Sequence, residues 1–149
     1  MAATTLQAVI ARFDGTAPGA LTQLAGKLWF GEIPADKTLP FVGVAHGGTA
    51  PPEYNSEDDY LELDRFHFEV QDTNLITVER IATEIKVAFD KPGSAEAHAA
   101  FPIDNARCIS CERTNYMVRV DPETDPQGNS VYVAELDYEL TVRKTKGVS

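Results

Sequence analysis

Cysteine is scarce in this chain of 149 residues, at two, Cys108 and Cys111. Two cannot staple a disulfide scaffold, and they fit a protein made in a reducing cytoplasm. Long apolar runs are missing too: no stretch approaches the ~20 consecutive apolar residues of a membrane span. The N-terminal Met1-Ala2-Ala3-Thr4-Thr5 has no basic region followed by an apolar run, so no secretory signal is expected. Positive charge is in short supply, with 13 Lys and Arg against 23 Asp and Glu and a formal net charge of -10. Nucleic acid and anionic membrane surfaces repel such a chain, which argues against both as direct ligands. Catalytic signatures are lacking as well. Gly47-Gly48 is not followed by the Lys and Ser/Thr of a phosphate loop, and no serine sits in a Gly-x-Ser-x-Gly elbow. The expectation is no enzyme, no cofactor and no metal.

What is present is organised around Val131 to Arg143. Tyr132, Ala134, Leu136, Tyr138, Leu140 and Val142 alternate with Val133, Glu135, Asp137, Glu139, Thr141 and Arg143. Residues two apart share a face of a strand, so one face of this strand meets a core and the other carries three acids in a row. Such a strand needs a sheet beside it and helices beneath it.

The chain supplies both. Thr4 and Gln7 form a capping box ahead of Leu6, Val9, Ile10 and Phe13, which predicts a helix over Thr5 to Phe13; one more turn is expected within Pro18 to Ala25. A short strand follows at Leu28 to Phe30, then a loop to Thr38 and a strand over Leu39 to His46, closed by Gly47-Gly48. Gly47 to Asp59 reads as a long surface loop. Tyr60 to Gln71 is a strand whose apolar residues change parity, so either a bulge lies near Asp64 or its two ends pack against different things. Asn74 caps a second helix to about Asp90, with Leu75, Val78, Ile81, Ala82, Ile85, Ala88 and Phe89 as its apolar stripe. Ser94 to Phe101 adds a helical turn. Ala106 to Val120 and Val131 to Arg143 form a long hairpin joined by the turn Asp121 to Ser130, with irregularity expected around Asn115. The fold class is α+β: one mixed or antiparallel sheet of about four main strands with two helices on one face. Residues 1–149 are expected to form one domain, with 144–149 as a flexible tail.

Candidate chemistry is sparse. Cys108-Ile109-Ser110-Cys111 falls within a strand, where positions three apart face opposite sides. One thiol is therefore expected in the core and one on the surface, not a zinc or redox pair. His46, His67 and His98 are scattered. A metal site from His46, His67 and an acid of the Glu53 to Asp59 loop, serving a metal-dependent hydrolase or a small-ligand domain, is the least favoured alternative. Acid pairs such as Asp58/Asp59, Glu62/Asp64 and Glu135/Asp137 are too abundant to be specific. The row Glu135, Asp137, Glu139 does ask for cations, and Arg107, Arg113 and Arg119 on the neighbouring strand are candidates to supply them. A contact with another subunit is the other candidate.

The layout resembles a known family. A short N-terminal helix precedes the strand Leu39-Pro40-Phe41-Val42, an acidic loop, the strand Leu63-Asp64-Arg65-Phe66-His67-Phe68-Glu69-Val70, an amphipathic helix, and a hairpin ending Tyr132-Val133-Ala134-Glu135-Leu136-Asp137-Tyr138-Glu139-Leu140-Thr141-Val142. From Thr4 to Arg143 this resembles the tail terminator, or tail completion, proteins of long-tailed bacteriophages, the lambda-type minor tail protein U group. The resemblance implies a non-enzymatic virion protein made in the bacterial cytoplasm. It would be a homo-oligomer, a hexameric ring, at the head-proximal end of the tail tube. There it would stop polymerisation of the tail tube protein and receive the head–tail connector or stopper protein. DNA would pass through the lumen without specific binding. By position, Glu53, Tyr54, Glu57, Asp58, Asp59, Arg107, Arg113, Arg119, Asp125 and Gln127 would contact neighbouring subunits or the tube, and Glu135, Asp137 and Glu139 would face the lumen or an interface. A head-completion or connector adaptor of the neck is the alternative.

Overall fold

A computed structural model describes residues 4–15, 24, 28–30, 38–49, 53–54, 59–104 and 106–145. In chain order these form α1 (Thr5–Gly15), β1 (Trp29–Phe30), β2 (Phe41–Thr49), β3 (Glu53–Tyr54) and β4 (Asp59–Asp72). Then come α2 (Leu75–Phe89), α3 (Ser94–Ala100), β5 (Ala106–Val120) and β6 (Tyr132–Thr145). The sheet runs β1-β2-β4-β6-β5, with β3 paired to β4 off that path. Among the described strands only β1 on β2 is parallel; β2, β4, β6 and β5 pair antiparallel. The fold is thus the expected α+β one, and the described residues hold three helices where two were expected.

Local chemistry starts the helices. Thr4 N donates to Gln7 Oε1 at 2.9 Å and Gln7 N to Thr4 Oγ1 at 3.1 Å, the reciprocal bonds of a capping box. Asn74 Oδ1 accepts from Ile76 N and Thr77 N at the start of α2. Val78, Ile81, Ala82, Ile85, Ala88 and Phe89 are buried along one stripe of α2, whereas Leu75, expected to join it, is exposed in the first turn. Arg12 Nε donates to Ala88 O at 2.9 Å, which satisfies a carbonyl of the last turn of α2 and ties α1 to it.

All three helices cover one face of the sheet. Val42 and Val44 from β2, Phe66, Phe68 and Val70 from β4, Cys108 and Cys111 from β5, and Leu136, Tyr138, Leu140 and Val142 from β6 meet α1, α2 and α3 in one core cluster. Phe68 lies at its centre, with ring centroids 4.9 Å from Phe89, 6.0 Å from Tyr138 and 6.5 Å from Phe13. Truncating it to Ala removes one partner from three aromatic contacts, at a cost of about 3–5 kcal/mol.

Several expectations are corrected by register. Pairing of β4 with β6 is unbroken from Asp59↔Thr145 to Asp72↔Tyr132, so no bulge resets the register of β4 itself; the irregularity near Asp64 lies in the neighbouring β2, between His46 and Thr49. Parity instead turns Leu61 and Leu63 to the open face and buries Asp64 on the helix side, where His46 Nε2 lies 3.5 Å from its carboxylate. β5 carries two irregularities, between Cys108 and Ser110 and between Arg113 and Asn115. The first adds a residue between the cysteines, so Cys108 opposite Val142 and Cys111 opposite Leu140 both face the core; neither thiol is at the surface. β2 continues through Gly47 and Gly48 to Thr49, and β3 interrupts the segment expected to be a loop. Lys144 and Thr145 belong to β6 rather than to a tail, while residues 146–149 lie outside the described residues. So does most of Pro18 to Ala25 and of the loop before Thr38.

Candidate functional site

The face of the sheet that the helices leave open carries the charge. On β4 the residues that alternate with Phe66, Phe68 and Val70 are Arg65, His67, Glu69 and Gln71, opposite Glu139, Asp137, Glu135 and Val133 of β6. The next strand continues these rows with Glu112, Asn115, Met117 and Arg119 of β5. Arg65 Nε donates to Glu139 Oε2 at 3.2 Å. The His67 ring has Nδ1 2.5 Å from Asp137 Oδ1 and Nε2 3.8 Å from Glu135 Oε1. Asn115 Nδ2 donates to Asp137 Oδ2 at 3.2 Å. Arg119 lies across two acids, with Nη2 3.4 Å from Glu69 Oε1 and Nε 3.6 Å from Glu135 Oε2.

The acidic row is thus answered within the chain, and mostly by β4. Of the three arginines expected to do it, Arg119 alone reaches the row. Arg113, opposite Tyr138, is on the helix side of the sheet, 3.6 Å from Asp90. Arg107 is exposed opposite Arg143. The bulge before Asn115, where irregularity was expected, separates Arg113 from Arg119 in facing, a parity change that had not been carried through to the two arginines. Arg65, His67 and Glu69 were missed as partners, although their alternation with Phe66, Phe68 and Val70 was the available signal.

The remaining expected contact residues are dispersed. Glu53 and Tyr54 form β3 against Leu61 and Tyr60, and Asp59 opens β4; Glu57 and Asp58 lie outside the described residues. Asp125 organises the hairpin tip: its Oδ1 accepts from Gln127 N at 3.0 Å and from Asn129 N at 2.7 Å. These bonds, that from the Asn129 backbone first, hold its carboxyl below the ordinary range. His46 stacks on Phe66 on the helix side while His67 is on the open face, so the His46–His67 metal constellation, the least favoured alternative, does not assemble. His98 is exposed on α3.

Inside the core, burial pushes the Cys108 thiol up to about 11 and raises Cys111 further, as expected of inert rather than catalytic cysteines. Burial first, and then the hydrogen bond from its hydroxyl to Asp90 Oδ1 at 2.7 Å, raises the Tyr138 phenol.

A second surface is apolar. β5 is an edge of the sheet, and beyond the bridge between Lys91 and Cys111 no strand among the described residues pairs with its outer side. Tyr116, Met117, Val118 and Val120 are exposed along that stretch. Lys86 of α2 sits 3.4 Å over the Tyr116 ring, and the helix leaves the rest uncovered.

No protein-family model matches the chain, and no curated protein matches it in sequence. In structure it is similar to a chain of the virion of a native gene transfer agent particle, with a TM-score of 0.55 and 12% identity over 82% of each chain. At that identity the likeness is one of fold.

Proposed function

We propose that the protein is a structural, non-enzymatic component of a phage-like virion. The observation that carries this reading is the fold shared, over 82% of both chains, with a component of a gene transfer agent virion. The open, apolar edge of β5 supports it. A long unpaired edge is a template for another chain, and a ring of identical subunits uses such edges head to tail. The finer reading is a tail terminator: a hexameric ring on the head-proximal end of the tail tube that stops its growth and receives the connector. In that ring the hairpin tip at Asp125 and Gln127 and the segment from Glu53 to Asp59 contact the tube or the next subunit. The face bearing Glu135, Asp137 and Glu139 is turned to the lumen or to a neighbour, and its paired charges offer passing DNA no basic groove to adhere to.

Electron microscopy of particles assembled without the protein tests the role. Overlong tails without heads are expected; full-length tails beside unplugged heads would instead identify a neck adaptor, and unaltered particles would refute a structural role.

A further inference from the structure

We propose that His67, Glu69 and Glu135 form a binding site for a divalent transition-metal cation on the open face of the sheet. One nitrogen and two carboxylate oxygens from these residues lie within 4.8 Å of one another. A bound ion at roughly 2.0–2.2 Å from each ligand needs them slightly closer, a change that rotation of two glutamate side chains supplies. Imidazole with two carboxylates suits zinc or manganese better than calcium or magnesium, which favour all-oxygen sets.

Two further observations separate this group from an ordinary cluster of surface acids. The first is the ring of His67. Its Nδ1 is engaged by Asp137, itself held by Asn115, so Nε2 is the nitrogen presented to Glu135. A carboxylate behind a histidine is the arrangement that fixes ring orientation and raises ligand basicity at metal centres. The second is Gln71, 4% exposed, whose Nε2 donates to Glu69 Oε2 at 2.9 Å while its Oε1 has no hydrogen-bond partner among the described residues. A half-turn of that amide would exchange its bond to Glu69 for a carbonyl oxygen able to accept from a metal-bound water there.

Glu69 and Glu135 are directly opposite each other in the ladder, a like-charge pair that a cation must bridge. The Arg119 guanidinium now does so, at 3.4 and 3.6 Å, and a metal ion would compete with it for the same two carboxylates.

The proposal is independent of ring assembly, and calorimetric titration of the full chain with zinc chloride tests it, with magnesium chloride as the hard-cation control. One saturable zinc site per chain is expected, with far weaker magnesium uptake. His67→Asn and Glu135→Gln should each weaken zinc binding by roughly tenfold or more. Arg119→Gln, which removes the competing cation, should tighten it. Loss of fold cannot produce both directions, and far-ultraviolet circular dichroism checks each variant. Absence of saturable zinc uptake in both the natural chain and Arg119→Gln would overturn the proposal. So would uptake that His67→Asn and Glu135→Gln leave unchanged, which would place the ion elsewhere.

Discussion

At the scale of single residues, the polar groups that matter most are those whose partners come from distant parts of the chain. Tyr138 is buried and its hydroxyl donates to Asp90, which also lies near Arg113. Tyr138→Phe keeps the ring packing and removes only this bond, so a loss of about 1 kcal/mol is expected from urea unfolding. No shift in the midpoint would mean that water replaces Tyr138 at Asp90 without cost. The core thiols make a prediction in pH. Cys108 is raised from 9.0 to about 11 on folding, so its contribution is complete below the unfolded value and declines as pH rises from about 9 toward 11. Cys111 and Tyr138 shift in the same direction and add to the decline. Unfolding midpoints measured from pH 7 upward should therefore fall above about pH 9. Both thiols should also resist a thiol reagent until denaturant is added. Had one cysteine been at the surface, as residue spacing implied, one thiol would react at once.

At the scale of elements, the helices were legible because their signals are local. The Thr4–Gln7 box and the Asn74 cap act over three residues, and the bonds of both are present where expected. Asn74→Ala should cost about 1 kcal/mol through the loss of two backbone bonds at the start of α2, measured by thermal or urea unfolding. Asn74→Ser or Asn74→Asp should restore most of it; failure of both to do so would assign the loss to something other than capping. Strand faces were less legible. The alternation in β6 gave its buried face correctly, because its pairing with β4 has no break. The parity argument failed in β5, because a bulge of one residue turns every side chain beyond it to the other face. It placed one cysteine wrongly and sent Arg113 to the wrong side.

For the molecule as a whole, the question is what meets the edge of β5 and the open face beside it. Val118→Lys and Val120→Lys set charges along an exposed edge, a device that blocks strand addition without touching a core. The doubly substituted chain should keep its unfolding midpoint. The proposed ring, sought by light scattering and electron microscopy of the natural protein mixed with tail tubes, should be lost in this variant. Rings that persist in this variant would show that the subunits meet through another surface. Association only on contact with the tube would agree with a net charge of -10, which keeps free subunits apart at low salt.

The sequence by itself determined the order of the main elements, β3 apart, the helix starts, the buried face of β6 and the acidity of the open face, because each depends on neighbours within a few residues. Tertiary structure alone decided which cations answer the acidic row, where both cysteines point and that His46 and His67 are divided by the sheet. Those outcomes depend on register between strands that are distant in the chain, as where His67 meets Asp137 and Cys108 meets Val142. A bulge in one strand or an unbroken ladder in another changes them without altering the local pattern of residues.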